Sequence, residues 1–259
     1  DEAHNIEDAA TEHFAFRVSQ LDLMQLLLKL SSEKQGGDVG KLFLFKEKIY
    51  RAYPGDLGQN IQNILNCIDI DLAGERRQLK QKISKTFQTI IAYLKKFAPK
   101  LEGGDDPISR GYKLRFREKH FSEKYWVEEV APYLKDLIVS LQRFSCDVIA
   151  LKNKVQELDD KKLFDKIKDT LLDITAVAIR LEKMACSLKE FAFGEDQKEV
   201  VRWADYVIKR GVEHLSLVGA HLNMSQILSK WLFSKFASVV LCSATLTTNQ
   251  HFRFIRQRL

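Results

Sequence analysis

The chain has 259 residues, 45% of them apolar and 29% charged, with a net charge of +6. That is the profile of a folded globular protein with room for one large domain or two smaller ones. No run approaches the ~18–20 consecutive apolar residues of a bilayer-spanning helix, and the acidic N-terminus is unlike a secretory signal. The four cysteines, Cys67, Cys146, Cys186 and Cys242, are spaced 79, 40 and 56 residues apart. Without a C-x₂-C pair they signal neither zinc nor an iron–sulfur cluster. Each is expected as a small buried hydrophobe in a reducing, cytoplasmic setting.

In chain order, Asp1-Glu2-Ala3-His4 precedes a helix expected over 6–17. Ser19, with Asp22 three residues on, marks the start of an apolar helix to about Ser32, which Gly36-Gly37 interrupts. A short amphipathic helix spans 42–53 and closes at Pro54-Gly55. Ile61, Ile64, Leu65 and Ile68 mark another helix. Leu79, Ile83, Phe87, Ile90, Leu94 and Phe97 mark a third, which ends before Pro99. Beyond the loop Gly103-Gly104-Asp105-Asp106-Pro107, residues 112–117 alternate with period two, predicting a strand with Lys113, Arg115 and Arg117 on one face.

Two seams at 3-4 spacing follow, Leu134 to Leu158 and Ile167 to Ala192, with Asp159-Asp160 between them at an N-cap and Pro132 in a first turn. They predict a long antiparallel helical hairpin over 133–192, coiled-coil-like. After Gly194, residues 200–209 and 212–222 predict a β-hairpin turning at Arg210-Gly211. A helix over 225–235 then leads to the β-rich run 237–242, expected as a strand of a parallel sheet. Ser243-Ala244-Thr245-Leu246 and a final helix carrying Arg253, Arg256 and Arg258 end the chain. The expected fold class is mainly α, roughly two-thirds helical or more against a base rate of ~30–35%.

Charge is uneven. Between Arg76 and Lys124, fourteen Lys and Arg stand against five acids, a local +9 that leaves −3 for the rest. Such a segment can track a phosphate backbone or can be a solvated helix face. Tyr112 and Trp126 lie beside the basic strand as stacking surface, or Phe116 and Trp126 belong to the core; both alternatives stand.

Asp1-Glu2-Ala3-His4 and, some 240 residues later, Ser243-Ala244-Thr245-Leu246 together resemble motifs II and III of superfamily-two helicases. The long helical insert between them is similar to the layout of the XPD/DinG group, in which an arch domain grows from the first motor domain. Asn5, Arg202-Trp203-Ala204-Asp205 and Asn223-Met224-Ser225-Gln226 extend the resemblance. It implies an arch domain over 36–196, flanked by motor segments 1–35 and 197–259 that carry a few strands of a P-loop-type α/β domain.

The resemblance also implies that Asp1 holds the Mg²⁺ of bound ATP and that Glu2 is the catalytic base. His4, Ser243 and Thr245 would couple nucleotide to DNA. Single-stranded DNA is the implied partner, unwound 5′ to 3′ in a cytoplasmic setting. Any iron–sulfur cluster would lie outside this chain.

The nearest string to a P-loop, Gly36-Gly37-Asp38-Val39-Gly40-Lys41-Leu42, is one residue short and lacks the hydroxyl. The chain is therefore expected to be a fragment without ATPase activity of its own. Two other function classes are weighed. One is a non-enzymatic helical scaffold that binds a partner protein. The other is a metal-dependent hydrolase using His4, Glu7, Asp8, Glu12 and His13, whose helical spacing is poor for a ligand set. The remaining histidines, His120, His214, His221 and His251, match no motif and are expected at the surface or hydrogen-bonded.

Overall fold

A computed structural model describes residues 2–34, 37–55, 57–101, 110–194, 199–245, 251–253 and 255, and the chain is mainly α-helical, as its periodicities predict. Helix α1 (Ile6–Phe14) gives way at Ala15 to strand β1 (Phe16–Ser19), so the single helix expected over 6–17 is cut short. Four residues carry too little local pattern to announce a strand; their partner lies far along the chain. Ser19 then caps α2 (Gln20–Leu30), its Oγ accepting the Asp22 N–H at 3.1 Å, the start signal read in the sequence.

A two-stranded ribbon, β2 (Ser32–Lys34) with β3 (Gly37–Val39), leads into α3 (Lys41–Ala52). Helix α4 (Gly58–Asn66) runs through a π-type stretch, Cys67–Leu72, into α5 (Ala73–Phe97). The two helices expected here thus join into one rod, stopping before Pro99, whose ring disfavours helical backbone at Ala98. Strands β4 (Lys100–Leu101) and β5 (Arg110–Phe116) follow, then the single-turn α6 (Glu118–Phe121).

The expected hairpin is present as α7 (Ala131–Gln156) and α8 (Lys161–Phe193). Its seam residues, Leu134 to Val155 on α7 and Ile167 to Ala192 on α8, are buried. Asp160 caps α8 by accepting the Leu163 N–H at 2.9 Å, and the Tyr53 hydroxyl donates to the same carboxylate. Midway, the Ser145 hydroxyl donates to the Ala178 carbonyl at 2.8 Å, tying the two helices together where their backbones come close.

Strands β6 (Val200–Lys209) and β7 (Val212–His221) form the second predicted hairpin. Arg210 and Gly211 both have positive φ (51° and 77°), the twist a two-residue hairpin turn requires. The sheet order is β1-β7-β6-β5-β4, antiparallel throughout. One face packs on α2, α5 and α8 through Val18, Leu114, Phe116, Ala204, Tyr206, Leu215 and Leu217. In that layer the Phe16 ring lies directly on Gly219, its partner in register. A Cβ at 219 would come within 2.1 Å of the ring, so any larger residue there forces the ring to shift.

Helix α9 (Ser225–Trp231) and a turn at Phe233–Lys235 complete the described elements. Two expectations are corrected. Residues 237–242 form no strand among the described residues; Val240 is 85% exposed. A parallel strand exists only with neighbours to take its N–H and C=O groups, and this chain's sheet is built from other segments. Of the cysteines only Cys67 is buried, whereas Cys146, Cys186 and Cys242 are exposed; an apolar setting in sequence did not fix which helix face each occupies. Most of the expected final helix, with Arg256 and Arg258, lies outside the described residues. No described helix is long and apolar enough to cross a membrane.

The main core runs continuously from Val18 to Leu217. A second, small cluster of Ala10, Met224 and Leu228 joins α1 to α9, with Ile6, Phe14 and Phe233 packed against it. Strand pairing therefore crosses both expected boundaries, at 35/36 and at 196/197.

Candidate functional site

The small cluster has one large consequence, because packing α9 on α1 brings the two ends of the chain together. Glu2 adopts left-handed backbone (φ 57°, ψ 41°), and its carbonyl accepts the Asn5 N–H at 3.0 Å. The Ala3 N–H donates to the Cys242 carbonyl at 3.0 Å. His4 Nδ1 then lies 2.6 Å from Ser243 Oγ and 3.0 Å from Glu2 Oε2. The Thr245 N–H reaches Ser243 Oγ at a longer 3.4 Å. Thus Glu2, His4, Ser243 and Thr245 form one linked group across 239 residues of sequence. Asp1 and Leu246 lie outside the described residues.

The geometry limits the chemistry. Ser243 and Glu2 approach the same ring nitrogen of His4. A Ser-His-acid nucleophile relay needs the hydroxyl on one nitrogen and the carboxylate on the other, so this group is no such triad. The imidazole bridges the two tetrapeptides, and Glu2 remains at the surface with 65% of its side chain exposed. The alternative metal set around His4, Glu7, Asp8, Glu12 and His13 does not assemble. No group of three or more His, Cys, Asp or Glu gathers in metal-holding geometry among the described residues.

On the sheet, strand alternation separates the basic face from the core. Lys113, Arg115 and Arg117 are exposed, while Leu114 and Phe116 between them are buried. Tyr112 points inward, stacking on Tyr206 at 5.9 Å between ring centroids. Trp126 is 1% exposed, packed against Tyr93, Phe116 and Phe121 with ring centroids 5.0–5.4 Å apart. Of the two alternatives for Trp126, core is therefore the one its position supports, and as a stacking residue it is corrected: the ring is sealed beneath the sheet.

The aromatic on the open face is Trp203. Register pairs it with Arg115 on one side and Val218 on the other, and Val218 with Arg17, so these four residues form a row on the sheet's outer face, in which Val218 is buried. Trp203 is half-buried. The signal was in the sequence, in the alternation of β6, but choosing between the two tryptophans required the pairing register.

Part of the +9 charge is engaged by the fold. Arg76 is buried and donates to the Ser31 carbonyl. Lys82 pairs with Asp136 at 2.8 Å. Lys95 lies 3.5 Å from Glu213 and over the Tyr206 ring. The Tyr206 hydroxyl, donating to Glu213 at 2.5 Å, holds that carboxyl below its ordinary range, with Lys95 adding to the effect. Lys113, Arg115 and Arg117 make no ion pair among the described residues.

The chain is similar over its whole length to the 3′-5′ exonuclease DinG of Bacillus subtilis (strain 168), at 22% identity over 263 aligned positions. It spans 25% of that protein's length. No protein-family model matches the chain.

Proposed function

We propose that this chain is the arch region, with its adjoining motor segments, of a DinG-like ATP-dependent DNA helicase. One observation carries the reading: Glu2 and His4 meet Ser243 across 239 residues, as a nucleotide-site motif and a coupling motif must. The similarity to DinG along the whole chain supports it. A chance tetrapeptide in a helical scaffold leaves that contact without a reason.

In this reading Asp1 would hold Mg²⁺, which would supply charge neutralisation for the nucleotide, and Glu2 would orient and deprotonate the attacking water. The exposed carboxylate of Glu2 suits that task, since hard cations and their waters take oxygen partners. Bound ATP supplies the free energy. This chain's own residues present the base, and His4 relays its position to Ser243 and Thr245. With no P-loop string here, the phosphates must be held by residues elsewhere in the parent protein. By the same resemblance the arch spans residues 36–196, within the main core that runs from Val18 to Leu217. Polarity is 5′ to 3′ by resemblance, and single-stranded DNA is the partner.

The exonuclease in the relative's name is not carried over to this segment. Two-metal nucleases gather several carboxylates and histidines, and no such group forms among the described residues.

The test is made in the parent protein. Glu2→Gln should keep ATP binding and lower turnover by several orders of magnitude, as for removal of a base acting in the transition state. His4→Ala should keep basal ATPase and lose its stimulation by DNA. Normal hydrolysis by the Glu2→Gln protein would overturn the assignment. The isolated chain should hydrolyse no ATP.

A further inference from the structure

One sizeable cavity among the described residues belongs to none of these. It has a volume of about 600 Å³ and lies where β1, α2 and α8 meet. Four cationic residues line it: Arg17 from the edge strand β1, Lys29 from α2, and Arg180 and Lys183 from α8. The one carboxylate there, Asp22, is taken up in capping α2, accepting the Ser19 hydroxyl at 2.6 Å. Phe16 and Met184 supply an apolar wall.

Some cations elsewhere are matched to acids, Lys46 with Asp69, Lys82 with Asp136 and Arg202 with Glu190, but none of those pairs lines a cavity that gathers four cations. The four cavity cations have no ion pair or hydrogen bond among the described residues. Arg180 and Lys183 stand three apart on α8, where like charges repel. Concentrated, unmatched positive charge beside an apolar wall fits a ligand with phosphates outside and flat bases inside.

We infer that this cavity is a phosphate-binding site for the backbone of a single-stranded nucleic acid. The inference rests on the nucleic-acid reading above and extends the contact surface beyond the basic sequence segment. Arg17 joins the two surfaces, because it lines the cavity and also ends the row Arg17–Val218–Trp203–Arg115. Three strand spacings put Arg17 and Arg115 about 14 Å apart, within the span of a short oligonucleotide.

Fluorescence anisotropy of the whole chain with a labelled oligothymidylate of roughly ten nucleotides tests this. The triple variant Lys29→Gln, Arg180→Gln, Lys183→Gln should bind about tenfold more weakly at low salt. Its salt slope should be shallower by up to about three ion equivalents. A control triple, Lys161→Gln, Lys162→Gln, Lys166→Gln, removes equal charge from the other end of α8, about 20–30 Å away along the helix. It should bind as wild type, and both triples should melt as wild type.

Equal binding by the cavity triple and wild type overturns the site, as does an equal loss in the control. Displacement of the oligonucleotide by ATP at matched ionic strength would make the cavity a small-molecule site instead. Wild-type chain that binds no oligonucleotide at low salt also overturns it. None of these outcomes bears on the Glu2→Gln ATPase test, so failure of the cavity and failure of the helicase reading are told apart.

Discussion

The helical body and the joined ends of this chain are held together very differently. In the body, a single apolar core runs through α2, α5, α7, α8 and the inner sheet face, with Trp126, Phe144, Phe191 and the hairpin leucines almost fully excluded from water. At the ends, three buried residues, Ala10, Met224 and Leu228, join α1 to α9, and Trp231, Phe236 and Val240 stand 59%, 58% and 85% exposed. Stability in a protein is local, and thinly packed regions open first. The candidate coupling group therefore sits on the weakest part of the structure, and the body is the platform that positions it.

The largest effect should come from the body. Trp126→Ala removes a ring that contacts Tyr93, Phe116 and Phe121 and should cost ~3–5 kcal/mol in urea denaturation. By contrast, Leu228→Ala should cost about 2 kcal/mol, expressed locally. Hydrogen exchange should speed up over residues 2–14 and 224–232 while α7 and α8 keep their protection. Loss of protection in the hairpin by Leu228→Ala would show the two regions to be one cooperative unit and break the comparison.

Gly219→Ala tests how tightly β1 is bound into the body. The new methyl would strike the Phe16 ring and should destabilise by ~1–3 kcal/mol. Phe16→Ala in the same chain should recover part of that loss, because contacting residues are not additive. Purely additive costs would mean that the ring moves aside.

Trp203→Ala separates the open face from the core. It should weaken single-strand binding by ~1–3 kcal/mol, the stacking range for one base, with a far smaller drop in melting temperature than Trp126→Ala. The reverse pattern would return the stacking role to neither residue. Replacing Lys113, Arg115 and Arg117 together with Ala should flatten the salt slope by up to about three ion equivalents.

Local pattern went a long way where structure is local. The seams of α7 and α8, the Ser19 and Asp160 caps, and the Arg210-Gly211 turn were all legible, since each is set by residues a few positions apart. β1 was not, because four residues in extended conformation depend on β7 for their reason to exist. The run 237–242 has a strand's composition, but composition cannot supply neighbours.

The site divides the same way. The two tetrapeptides announced themselves by type, and their meeting in space came only from α1 packing on α9. The basic strand could be read from its alternation, whereas Trp203 in place of Trp126 needed the register. The cavity cations could not be read at all, since Arg17 and Lys29 lie some 150 residues from Arg180 and Lys183.

The smallest effect concerns His120, one of the histidines without a motif. Its Nδ1 accepts the Arg117 N–H at 2.9 Å, closing the first turn of α6 beneath β5. Burial lowers its pKa from the ordinary 6.5, and nearby Lys119 lowers it further. With the folded pKa below the unfolded one, the unfolded chain binds the proton first as pH falls, so stability must drop as pH falls below about 6.5. The drop is complete below the folded pKa. Physically, the protonated ring loses the lone pair that accepts the Arg117 amide. Asp160 and Glu213, whose pKa values are also lowered, act only below the carboxylate range, so the windows are distinct. Denaturation midpoints between pH 7.5 and 5.5 should therefore fall for the wild type. In His120→Gln, which keeps an acceptor at the same helix position and cannot titrate, they should stay level. A slope unchanged by His120→Gln would assign this pH response to another group.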